Sequence, residues 1–67
     1  MSTTPTWTIL FREPEITGRT AMRLTPEGTL TRKTLFAAMF KDRERALEIA
    51  QEIREQHPTA TVTVRRF

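Results

Sequence analysis

Asp42–Phe67, DRERALEIAQEIREQHPTATVTVRRF, carries two hydrophobic periods separated by one break. In its first part Ala46, Ile49, Ala50, Ile53 and His57 fall on one stripe of a 3.6-residue period, widened by Leu47, which predicts an amphipathic helix over Asp42 to Gln56. Asp42 is suited to accept hydrogen bonds from the free amides of the first turn, and Glu44 adds negative charge near that positive end. Glu44, Glu48, Glu52 and Glu55 collect on the opposite side, where like charges repel slightly. The helix must therefore gain its stability by packing its apolar stripe. His57-Pro58 stops it, because the residue before a proline is pushed out of the α region. Beyond the break Ala60, Val62 and Val64 alternate with Thr61, Thr63 and Arg65, the period of a half-buried strand.

Upstream, Trp7, Ile9 and Phe11 alternate with Thr6, Thr8 and Arg12, and only Leu10 breaks the pattern, so Thr6 to Arg12 reads as a strand. Glu13-Pro14-Glu15 and Thr17-Gly18 mark a connection, with Gly18 free to take positive φ where the chain reverses. Arg19 to Thr25 resumes extension, with Met22 and Leu24 separated by Arg23, and Thr25-Pro26-Glu27-Gly28 has the residue order of a type I turn. A hairpin is the economical inference. Thr29 to Phe40 admits two readings. As a strand it is apolar on both faces toward its end; as a helix it pairs Leu35 with Met39 and Phe36 with Phe40. The preceding turn, the threonines at 29, 31 and 34, and a fresh helix start at Asp42 favour the strand.

A strand, a helix and a strand joined by short links normally form a right-handed crossover with parallel strands. The expected fold class is α+β in two layers: one amphipathic helix packed on a three- to four-stranded, mostly antiparallel sheet, in the order ββ(β)αβ. It forms a single small domain over residues 6–67 behind a disordered leader, residues 1–5. Its core should join Ala46, Leu47, Ile49, Ala50 and Ile53 to Trp7, Ile9, Phe11, Phe36, Phe40, Val62 and Val64. In element order, Trp7 to Arg12, the Gly18 turn, a strand closing at Phe40 and then Asp42-Arg43-Glu44-Arg45-Ala46 resemble the three-stranded, one-helix DNA-binding arm domains of phage integrases. The resemblance spans about the first 50 residues and implies a DNA-facing sheet; the strand at Thr59 to Phe67 departs from that pattern.

At 67 residues the chain is near the size where a core only just offsets chain entropy, burying roughly 60% of its unfolded surface. With no Cys, neither a disulfide nor a thiolate metal site is available, leaving oligomerisation or a partner as reinforcement. No run approaches the ~18 apolar residues of a membrane span, and Met1-Ser2-Thr3-Thr4-Pro5 lacks the basic region and apolar core of a signal peptide, so a cytoplasmic protein without a membrane partner is expected.

Catalysis needs side chains that are scarce here: one His, one Asp, one Ser, and no Cys, Tyr or Asn. A triad would draw on Ser2, on His57, and on Asp42 at the far end of the same helix, roughly 20 Å away at about 1.5 Å per residue. Glutamates on the helix face away from His57, which disfavours a metal site, and Gly18 and Gly28 are too far apart for a phosphate loop. No enzyme, cofactor, metal or small-molecule substrate is expected. Charge is segregated instead. The net charge is +3, with nine Arg among eleven basic residues; Asp42 to Gln56 holds five acids and three Arg, hence −2, and the rest of the chain is +5.

Two surfaces are candidates, both on the sheet face turned away from the helix. Arg12, Arg23, Arg32, Lys33 and Arg65, set among threonines, suit nucleic-acid phosphates. Leu35, Ala37 and Met39 suit an interface, because one helix cannot cover both sides of a sheet. The leading expectation is a small homodimeric binding protein that presents a basic sheet face to nucleic acid. The alternative is a protein-interaction module, an inhibitor or adaptor such as a phage or mobile-element accessory protein, using the apolar patch and the acidic helix.

Overall fold

The structure, a computed structural model, describes residues 5–67. Residues 1–4 of the expected leader lie outside the described residues. The chain runs β1 (Trp7–Arg12), α1 (Pro14–Thr17), β2 (Met22–Leu24), β3 (Leu30–Thr31), a 3-10 turn (Thr34–Phe36), α2 (Arg43–Gln56) and β4 (Thr61–Arg66). Four antiparallel strands form one sheet in the order β3-β2-β1-β4. The fold class is α+β, with one main helix, as the two periods of Asp42–Phe67 predict. None of the described helices is long and apolar enough to cross a membrane.

α2 starts and stops where the sequence places it. Asp42 stays extended and its carboxylate accepts from Glu44 N at 3.0 Å; at the other end His57 N donates to Ile53 O at 2.9 Å before Pro58 turns the chain. The apolar stripe is buried against β1 and β4: Ala46 and Ala50 join Ile9, Phe11 and Val62 in the core, flanked by Trp7, Leu24, Leu30, Phe40, Ile49, Ile53 and Val64. Two alanines at the closest approach let the helix axis come down onto the sheet, and the larger Ile49 and Ile53 fill the sides.

The strand neighbours differ from the expected parallel crossover. β4 lies against β1 and antiparallel to it along its whole length, from Trp7 opposite Arg66 to Arg12 opposite Thr61. Phe40, immediately before α2, pairs with Trp7 antiparallel. Both Trp7 backbone groups are used in that pair, Trp7 N to Phe40 O and Phe40 N to Trp7 O, each 2.8 Å, so Phe40 sits on the edge of β1 opposite β4. Phe40 and β4 thus run in the same sense with β1 between them. A helix about 10 Å wide spans two strand spacings of about 4.8 Å, and skipping one strand centres its stripe on Ile9 and Phe11.

Thr29 to Phe40 is neither one strand nor a helix. Leu30 and Thr31 pair with Leu24 and Arg23, the chain jogs through the 3-10 turn, Ala38 N donates to Leu24 O at 2.8 Å, and Phe40 closes on Trp7. The cause lies in β1. It has six residues but β2 has only three before the turn in which Gly28 N donates to Thr25 O at 3.0 Å. The Trp7 end of β1 would be left with open backbone groups, and the chain returns by one strand spacing to satisfy them. The jog also expels Phe36, which the periodicity places in the core and which is 54% exposed, with Lys33 Nζ 5.8 Å from its ring centre.

The connection after β1 is a single helical turn, begun by Pro14 and closed by Thr17 N donating to Glu13 O at 2.7 Å. Gly18 ends it at φ 73°, ψ −148°, a conformation nearly confined to glycine.

Candidate nucleic-acid interface

Strand alternation decides which side chains share the face away from α2. Ile9 and Phe11 point into the core, so Thr8, Leu10 and Arg12 point the other way. Arg23 stands opposite Leu10, and Arg65 opposite Thr8. Arg12, Arg23 and Arg65 therefore occupy three successive rows of one face, each row about 7 Å from the next. Thr31, Thr61 and Thr63 fill the neighbouring positions. Arg12 and Arg65 are exposed; Arg23 is half-buried along the sheet, and its Nε has no hydrogen-bond partner.

Among the described residues no acidic side chain lies on a strand of the sheet. Glu13, Glu15 and Glu27 lie in connections, and the other five acids lie within Asp42–Gln56 on the helix side. The molecule thus opposes a cationic sheet surface to an acidic helix surface. The ion pair Arg45 Nη1 to Glu48 Oε2, 3.3 Å and well exposed, adds little to stability.

The other two basic residues expected here are placed differently. Arg32 Nη2 donates to Thr17 O at 3.0 Å and tethers the edge of the sheet to the α1 turn. Lys33 sits by the Phe36 ring. Arg54 is also committed, its Nε and Nη2 donating to Val62 O at 3.2 and 2.6 Å and covering a backbone acceptor on β4.

Of the expected apolar patch, Leu35 is 86% and Met39 61% exposed, whereas Ala37 is only 7% exposed. Ala37 is buried in the extended stretch that follows the 3-10 turn, between the two exposed side chains. Its place is taken by Phe67, 48% exposed, which continues the Thr61, Thr63, Arg65 row and whose N donates to Thr6 O at 2.9 Å. Thr34, Leu35, Met39 and Phe67 line one open hollow of about 360 Å³. Phe67 follows two arginines and has no apolar neighbour in sequence, so only its parity with Val-alternating β4 could have marked it.

His57 has a partner that the periodicity did not reveal. Its Nδ1 lies 3.6 Å from Glu13 Oε2, Thr59 Oγ1 donates to Glu13 Oε1 at 2.7 Å, and the His57 ring meets Phe11 edge-on at 5.3 Å. This cluster joins the end of β1 to the turn after α2. Among the described residues no group of three or more His, Cys, Asp or Glu could hold a metal ion.

Comparison with family models, with curated proteins and with solved structures finds no match to this chain.

Proposed function

We propose that the protein is a small non-enzymatic module that binds nucleic acid on the sheet face opposite α2. One observation carries this reading: Arg12, Arg23 and Arg65 stand on successive rows of strands that carry no acidic side chain, while five of the eight acids gather on Asp42–Gln56 behind them. Arginine offers a fixed fork of donors to phosphate oxygens and keeps its charge at every working pH. The three arginines lie on β1, β2 and β4, so they are spread across the sheet as well as along it and form a cationic patch for a polyanionic backbone. The exposed hydroxyls of Thr61 and Thr63 supply further phosphate donors without adding charge.

A salt titration tests the reading. Three phosphate contacts give a slope of log K against log salt of roughly −2 to −3, measured by anisotropy of a labelled oligonucleotide. An affinity no better than that of an unrelated protein of charge +3, or one insensitive to salt, ends it.

A second reading is favoured by the exposure of Leu35 and Met39, which suits a protein partner or a second copy of the chain. On that reading Met39→Asp abolishes a dimer in sedimentation velocity. A mass that matches one chain before and after the change removes the homodimer.

A further inference from the structure

We infer that the nucleic acid this face takes is single-stranded, with an unpaired base stacked on Phe67 in the hollow lined by Thr34, Leu35 and Met39; this rests on the nucleic-acid reading above. The hollow and the arginine rows are one continuous surface. Phe67 lies one row beyond Arg65 on the same side of the same strand, about 7 Å along it. A strand whose phosphates lie on this patch reaches the ring by continuing one row past Arg65.

Chemistry narrows the occupant further. In a duplex the bases are stacked on one another and their flat faces are closed, so an apolar hollow has nothing to receive. An unpaired base presents a π-face that an exposed aromatic ring accepts whatever the sequence. Leu35 and Met39 complete an apolar floor, and the thioether of Met39 is polarisable and adjusts to a planar ligand. A second copy fits less well. Seated on the hollow about a two-fold axis, it would bring its own Arg65 toward the same residue here, and like charges oppose that approach. A polyanion gains from those same charges.

Anisotropy with a labelled twelve-nucleotide poly-dT, a poly-U of the same length and a twelve-base-pair duplex, all at low salt, tests the inference on the full chain. The single strands are expected to bind more tightly than the duplex. Phe67→Ala should weaken single-strand binding by about 5- to 150-fold, the effect of losing one base–aromatic stack, and leave duplex binding and the melting temperature unchanged. Phe67→Leu separates stacking from apolar contact: it should be as weak as the alanine variant, and full binding by Phe67→Leu overturns the stack. Preference for the duplex, or no effect of Phe67→Ala while Arg65→Ala still weakens binding, overturns the single-strand inference and leaves the nucleic-acid reading standing. A dimer in sedimentation that Phe67→Ala dissociates assigns the hollow to a second copy and also overturns it. Failure of all three probes to bind the unaltered protein ends both readings together.

Discussion

Phe11→Ala is expected to leave the protein largely unfolded near physiological temperature. Phe11 is almost fully buried near the C-terminal end of β1, packed in the cluster with Ile9, Ala46, Ala50 and Val62, and its ring meets His57 edge-on. Truncating such a side chain costs about 3–5 kcal/mol, the lost transfer energy plus the cavity left behind. A domain of this length holds in total roughly 3–10 kcal/mol. The loss is therefore comparable to the whole stability, and the melting temperature should fall by about 12 to 40 °C at 4–8 °C per kcal/mol. Far-UV circular dichroism melts read it directly. The matched control is Phe36→Ala, for Phe36 is exposed in the 3-10 turn and its removal should change stability by less than about 0.5 kcal/mol. Equal destabilisation by the two changes would contradict the packing described for Thr34–Phe36.

The second large effect concerns binding. Replacing Arg12, Arg23 and Arg65 together by alanine is expected to lower nucleic-acid affinity on the order of 10³-fold. Each charge-assisted contact contributes about 1.5–3 kcal/mol, or tenfold and more, and the three side chains stand on separate rows. The loss should be uniform across sequences, because phosphate contacts carry no base information, and the salt slope should shrink by about one for each arginine removed. Arg12 and Arg65 are exposed, so their double replacement should leave the thermal melt in place; Arg23, half-buried, needs its melt measured alongside. Arg45→Ala on the helix is the control for bulk charge. If it weakens binding as much as a sheet arginine, the cationic face is not the contact surface.

Part of the candidate face is legible in the sequence. Alternation alone puts Arg12 opposite in sense to Phe11, Arg23 opposite in sense to Met22 and Leu24, and Arg65 opposite in sense to Val64, and pairing brings the three together. Arg32 and Ala37 escaped the same logic. Both follow the end of β3, where the chain leaves the sheet plane, and alternation has no meaning outside a strand. Phe67 and the Glu13 partner of His57 were missed for opposite reasons. Phe67 is a lone apolar residue past two charges, and Glu13 meets His57 only because β1 and α2 are brought together across the sequence.

Local periodicity sets the elements whose side chains repeat with one period: the helix Arg43–Gln56, with its Asp42 cap and its stop at Pro58, and the strands at Trp7–Arg12 and Thr61–Arg66. Such periods are local, set by which residues of a short segment can face one apolar side. Long-range packing sets the rest: β4 runs antiparallel beside β1, the chain jogs between Leu30 and Phe40, and Phe11 is buried while Phe36 is not. Those outcomes depend on the width of a helix against the spacing of strands. They depend equally on the backbone groups of Trp7, which a three-residue β2 leaves open and which Phe40, 33 residues later, must satisfy.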